Sequence, residues 1–126
     1  IRDGRATCVS FWNYYGKKIS MKDIILGNHM FGKWCDHVTS WHPSKRNKTL
    51  LLKYEEMVDN FEIVLGSISA FLEKDIISKK LPSRETVAKS DGKWVRSKTD
   101  WREEISSEEL DLFKQVNNSV LKEYGY

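Results

Sequence analysis

Arg2 and Ser10 stand eight positions apart in the opening stretch IRDGRATCVSFWNYYG, an interval that can bring a guanidinium and a hydroxyl to one anion. A guanidinium offers paired N–H donors that match phosphate oxygens, and a charge-assisted bond of this kind contributes about 1.5–3 kcal/mol. For both groups to meet a ligand, the chain must run strand, tight turn, helix. Asp3-Gly4 is turn chemistry, and Ala6, Val9 and Trp12 then recur at helical spacing. Arg2 would leave the carboxyl end of a strand, where the ligands of open parallel sheets collect, with Ser10 on the helix that follows. Tyr54 ends a second candidate strand, Thr49-Leu50-Leu51-Leu52-Lys53, a continuous apolar run of the kind covered on both faces. Taken without partners, Arg2 and Arg5 read as solvated or helix-end charges and Tyr54 as an ordinary strand-end aromatic.

The other reactive side chains read as structural. His29, His37 and His42 do not share one helical face, and His37 lies beside the stripe Trp34, Val38, Trp41, where a hydrogen-bonded core imidazole fits better than a metal ligand. Cys8 and Cys35 sit in apolar patterns without metal-ligand spacing and form no disulfide framework, so both read as buried thiols and no metal is expected. The five tryptophans, Trp12, Trp34, Trp41, Trp94 and Trp101, are expected to pack helices, with Phe31 or Trp34 bordering a pocket.

At 126 residues, 40% hydrophobic and 31% charged, with two prolines and no repeat, the chain is at most one globular domain, able to bury roughly 65% of its unfolded surface. A net charge of +3 favours small anionic ligands over nucleic acid. No stretch approaches the roughly 20 apolar residues that span a bilayer, and the N-terminus has no signal-peptide pattern, so no membrane partner is expected.

Helices are predicted over Met21 to Asn28 and Phe31 to Trp41, the second carrying Phe31, Trp34, Val38 and Trp41 on one face and ending at His42-Pro43. Lys45, Arg46 and Lys48 form a basic loop before the second strand. Asp59 with Glu62 has capping-box spacing ahead of a helix that buries Phe61, Leu65, Ile68 and Leu72. Residues 79 to 98, with Pro82 and Gly92, read as a long ordered or ligand-dependent loop. Ser106 and Glu109 make a second capping box before Leu110, Phe113, Val116, Val120 and Leu121, in a terminal helix ending at Gly125. Strands alternating with helices give an α/β class: part of a parallel sheet of the phosphate-loop type flanked by helices, predominantly helical in this chain. Two strands cannot cover so many apolar helix faces, so the chain reads as the C-terminal portion, residues 1–126, of a larger domain.

The residues that organise this pattern resemble the sulfotransferases that use 3′-phosphoadenosine 5′-phosphosulfate (PAPS). RDGRATCVSFWNY is similar to that family's strand-to-helix segment, FGKWCDHVTSW to its Gly-x-Trp-x-x-His-Val-x-x-Trp helix, LLLKYEEM to its Tyr-Glu-Asp strand, and TDWREEISSEELDLFKQVNNSVLKEYGY to its Asp-Trp-Arg/Lys segment and final helix. The resemblance implies that Arg2 and Ser10 hold the 3′-phosphate of PAPS or of its product, adenosine 3′,5′-bisphosphate (PAP), and that Tyr54 lies against the nucleotide. It also implies Ser83, within SRETVAK, as a contact to adenine, and Arg96, Ser97 and Lys98 as the group that closes on the phosphate. These last three stand where the family has Arg-Lys-Gly, out of register, and no dimer motif follows the tryptophan. The family's phosphate loop and catalytic histidine belong to the N-terminal half of the domain, which precedes Ile1, so no catalytic residue is expected here and the isolated chain is expected to be inactive. The implied activity is sulfuryl transfer to the hydroxyl of a small molecule in the cytoplasm, with no metal and the oligomeric state open. A non-catalytic nucleotide-binding or interaction module and a nucleotide kinase-like phosphotransferase are the alternatives.

Overall fold

A computed structural model of the protein describes residues 1–90, 92 and 100–126. Eight α-helices are formed among them: α1 (Gly4–Tyr14), α2 (Met21–Leu26), α3 (Trp34–Trp41), α4 (Tyr54–Asp59), α5 (Phe61–Leu72), α6 (Arg84–Ser90), α7 (Trp101–Glu104) and α8 (Ser107–Glu123), with a short 3₁₀ turn at Pro43–Lys45. They divide into two units, Ile1–Tyr54 with Thr99–Tyr126, and Glu55–Lys98.

In the first unit, α1 begins where Asp3 accepts the Arg5 backbone N–H at 2.8 Å and satisfies one of the donors that a helix start leaves unpaired. Gly4 follows for a reason the turn reading missed. A Cβ there would lie 2.6 Å from Trp34 and 2.7 Å from Phe113, so only glycine lets α1 approach α3 and α8 this closely. Ser20 caps α2 by accepting from Asp23 N, and Gly27, at φ +72°, ends it in the left-handed conformation that glycine adopts without strain.

The N-terminus of α3 has no cap from its own flanking residue Lys33. Instead Asn117, fully buried on α8, accepts from Cys35 N at 3.1 Å and donates to the Phe113 carbonyl at 3.2 Å. One amide thus joins two helices and leaves neither of its own polar atoms unpaired in the core. The expected capping box forms on α8, with Ser106 Oγ accepting from Glu109 N and Glu109 Oε2 accepting from Ser106 N. Cys8, Val9, Met21, Ile24, Ile25, Trp34, Cys35, Val38, Phe113, Val120, Leu121 and Tyr124 close into one apolar cluster.

Helix α7 is fastened to α1 at both ends. Arg5 pairs with Asp3 and lies 4.4 Å from the Trp101 ring centroid, while Glu104 accepts from Lys17 Nζ at 2.9 Å and from Asn13 Nδ2 at 3.4 Å. In the second unit α5 buries Val64 and half-buries Phe61, Leu65 and Ile68, whereas Leu72 is exposed.

Several expectations are corrected. No strand forms among the described residues: residues 1–3 and 49–53 lie outside regular elements, and the two expected strands are represented by one pair of backbone bonds, too few rungs for a ladder. Tyr54 opens α4 instead of closing a strand, because Glu55 and Glu56 in the first turn complement the positive end of a helix dipole. Phe31 precedes α3, and both it and Trp41 are exposed, so the buried stripe is Trp34, Cys35 and Val38. Asp59 is the last residue of α4 and caps nothing; Asn60 holds the cap position of α5 without a side-chain bond. The expected loop over 79 to 98 contains α6.

Two outcomes follow. Asn117→Ala strands the Cys35 N–H in the core, so stability should fall by about 1–3 kcal/mol, read as a lowered urea midpoint with unchanged slope. The Lys17 hydrogen bond, with Asn13 behind it, holds the Glu104 carboxyl below its ordinary value of 4.5. A carboxylate lowered in the folded state adds stability above its unfolded value and loses it as pH falls through the folded one. Because Lys17 is half exposed, that contribution is only about 0.2–1 kcal/mol. Glu104→Gln should lower stability by that amount at pH 7 and by nothing at pH 2.

Candidate functional site

Two backbone hydrogen bonds define the site. The Ile1 nitrogen donates to Leu52 O at 2.7 Å, and Tyr54 N donates to Ile1 O at 2.7 Å. One residue bonding to both neighbours of the residue opposite is the rung of a parallel pair, here Ile1 against Lys53. Side chains alternate across such a pair, so Ile1 and Lys53 face one way and Arg2 and Tyr54 the other. The Arg2 guanidinium accordingly lies over the Tyr54 ring, 4.6 Å from its centroid. Arg2 Nε is buried and has no hydrogen-bond partner among the described residues, a donor set against an aromatic face with no acceptor supplied. Tyr54 remains 46% exposed, enough to offer ring surface to a ligand.

The remaining expected ligands are placed differently. Ser10 is exposed on α1, about 9 Å along the axis from Gly4 at helical rise, and gives no partner to the buried Arg2 Nε. Ser83, in the second unit, caps α6: its Oγ accepts from Thr86 N at 3.2 Å and lies 2.9 Å from Thr86 Oγ1. Arg96, Ser97 and Lys98 lie outside the described residues. Arg5, which the sequence left unassigned, is occupied by Asp3 and Trp101. No spacing signal connects positions so far apart in the chain.

A second feature of the same unit escaped sequence reasoning in its extent. A cleft of about 300 Å³ opens between α1, α2 and the segment leading into α3, lined among others by Cys8, Phe11, His29, Phe31, Trp34 and His37. The His29 ring stacks on Phe11 at 4.6 Å, and Phe31 meets Phe11 edge-on at 5.6 Å, a wall of three rings in favourable offset and T-shaped arrangements. His29 Nδ1 accepts from Phe31 N at 3.2 Å. Among the described residues, no group of three or more His, Cys, Asp or Glu side chains is placed to hold a metal ion.

The sulfotransferase domain family model matches residues 1–90, and the chain belongs to that family. Sulfotransferase 1 family member D1 of Mus musculus is 39% identical over 57 residues, 44% of this chain and 19% of that protein. Sulfotransferase 1B1 of Mus musculus is 34% identical over 71 residues, 56% of this chain and 22% of that protein, and sulfotransferase 2A1 of Macaca fascicularis is 36% identical over 56 residues, 44% and 20%. The matched stretches therefore span about a fifth of each curated relative. A crystal structure of the mouse sulfotransferase SULT7A1 complexed with PAP superposes with a TM-score of 0.73 over 99% of this chain and 60% of that one, at 24% identity, a likeness of fold.

The Cys8 thiol lines the cleft yet stays unreactive, because burial first and the nearby Asp3 second push its pKa up to about 12. Only about one part in 10⁴ is thiolate at pH 8. Disulfide reagents should therefore label Cys8 in the native protein at least a hundredfold more slowly than in urea; equal rates would overturn the buried placement.

Proposed function

We propose that the chain is the C-terminal portion of a sulfotransferase that transfers a sulfuryl group from PAPS to the hydroxyl of a small molecule, and that Arg2 anchors the 3′-phosphate. The observation that carries this reading is the buried Arg2 Nε, which has no acceptor among the described residues and lies within the family-matched stretch. An orphaned guanidinium donor fits a phosphate oxygen and gains a charge-assisted bond from it. Tyr54 presents the ring against which the nucleotide stacks, and its contact with Arg2 holds the guanidinium plane in place. Ser10 adds a hydroxyl from the exposed face of α1, and the family resemblance further implies Ser83 and the Arg96, Ser97, Lys98 group as nucleotide contacts. When bound, PAPS supplies the activated sulfuryl group.

The cleft lined by Phe11, Phe31 and Trp34 suits the apolar body of an acceptor. The proton leaving the acceptor hydroxyl goes to a base in the N-terminal half of the domain, and the Ile1–Lys53 rung belongs to a parallel sheet completed there. Cytoplasmic placement accords with the relatives' family.

Titration with PAP tests the reading. Arg2→Ala should weaken binding about 10- to 150-fold, the equivalent of one charge-assisted bond, and Ser10→Ala about 2- to 10-fold, that of a neutral one. An Arg2→Ala curve that overlays the parent's would reject the anchor. A longer protein containing this chain should convert PAPS and an alcohol or phenol to a sulfate ester, whereas residues 1–126 alone should not; turnover by the latter would place the base within this chain.

A further inference from the structure

We propose that Tyr126, acting through Lys53, is a positioning residue for the Arg2–Tyr54 pair. The inference rests on the reading of that pair as a nucleotide site and adds the device that holds it in place. Residues 49–53 form no regular element, and the two bonds to Ile1 are the backbone ties recorded for Leu52 and Tyr54. Between those two residues, Lys53 faces away from the Arg2–Tyr54 contact by the alternation of the pair, and its Nζ lies 5.0 Å from the centroid of the Tyr126 ring.

Tyr126 reaches that place because α8 ends in a reversal. Gly125 is left-handed at φ +69°, and Tyr126 N donates to Leu121 O at 2.9 Å, the six-to-one bond of a Schellman motif. A Cβ at position 125 would stand 3.3 Å from Lys53 Nζ, the tip of a flexible side chain, so it is the left-handed reversal that calls for glycine here. Phe113, Val120, Leu121 and Tyr124 root α8 in the core. The chain from the core to the site therefore runs α8, Gly125, the Tyr126 ring, the Lys53 ammonium and Tyr54. An irregular segment is held on one side by Ile1 and on the other by a cation–π contact.

Loosening the second tie lowers the fraction of molecules in which Tyr54 stands against Arg2, and the apparent affinity falls by that fraction. The experiment follows PAP affinity by titration and the Tyr54 backbone amide by ¹⁵N–¹H spectra of the nucleotide-free protein. In Tyr126→Ala, PAP should bind about 2- to 5-fold more weakly, the range of an exposed cation–π contact, and the Tyr54 amide should shift. Tyr126→Phe keeps the ring face and should restore both. Lys53→Met leaves the end of α8 intact and should reproduce the alanine result, with no further loss when the two are combined.

An unmoved Tyr54 amide in Tyr126→Ala, or unchanged PAP affinity in Tyr126→Ala and Lys53→Met, overturns the positioning role, as does failure of phenylalanine to rescue. The nucleotide reading fails separately, on a PAP affinity unchanged in Arg2→Ala.

Discussion

Everything at the candidate site depends on register. The bonds from the Ile1 nitrogen to Leu52 O and from Tyr54 N to Ile1 O fix which residue stands opposite which, and only this alignment sets the Arg2 guanidinium over the Tyr54 ring. A slip of one residue would put Arg2 across from Lys53, cation against cation, and turn Tyr54 to the other face. The alignment also carries an unfavourable term. A buried donor without an acceptor costs about 1–3 kcal/mol, and Arg2 Nε is such a donor among the described residues. Stability lost at a polar atom and recoverable by an incoming oxygen is the usual condition of a site shaped for an anion.

The frame that tolerates this term is α1, α3 and α8. Gly4 lets the start of α1 touch Trp34 and Phe113, and Asn117 joins α8 to the first turn of α3. Gly4 and Asn117, neither charged nor lining the cleft, therefore help to fix the direction in which Arg2 leaves the core. Asp3 belongs to the same frame: it caps α1 and pairs with Arg5, which in turn lies over Trp101.

Local chemistry was legible wherever it is written in neighbouring residues. The Ser106–Glu109 box and the reversal at Gly125 were readable because capping needs particular side chains at fixed offsets, whereas Asp3 read as a turn residue and caps α1. Where two local signals competed, the sequence misled. Thr49 to Lys53 has a strand's composition, yet a strand exists only through its partner's rungs, and one rung is present. Asp59 and Glu62 have the spacing of a box, but α4 runs through Asp59 and leaves it helical. Contacts between distant positions left no local trace. Nothing in the sequence sets Asn117 apart on its amphipathic helix, and Arg5 read as a solvated or helix-end charge and Trp101 as helix packing, with no signal joining the two. The Arg2–Tyr54 pair was anticipated as two strand ends converging; the unpaired Nε and the Lys53–Tyr126 tie depend on packing that no spacing encodes.

One helix connects the two halves of the proposed chemistry. Helix α1 begins two residues after Arg2, and its Thr7, Cys8 and Phe11 line the aromatic cleft. A helix advances about 1.5 Å per residue and bends little over three turns, so the separation of an anion grip at residue 2 from an acceptor wall at residue 11 is set by backbone geometry. Transfer between two bound molecules is fast only when the reacting atoms are held within a few tenths of an ångström of their productive distance. On the proposed reading, α1 is a ruler between donor and acceptor. This accounts for the density of restraints on so short an element: a cap at Asp3, a close approach at Gly4, the Arg5–Trp101 contact, and the Asn13 and Lys17 bonds to Glu104 at its far end.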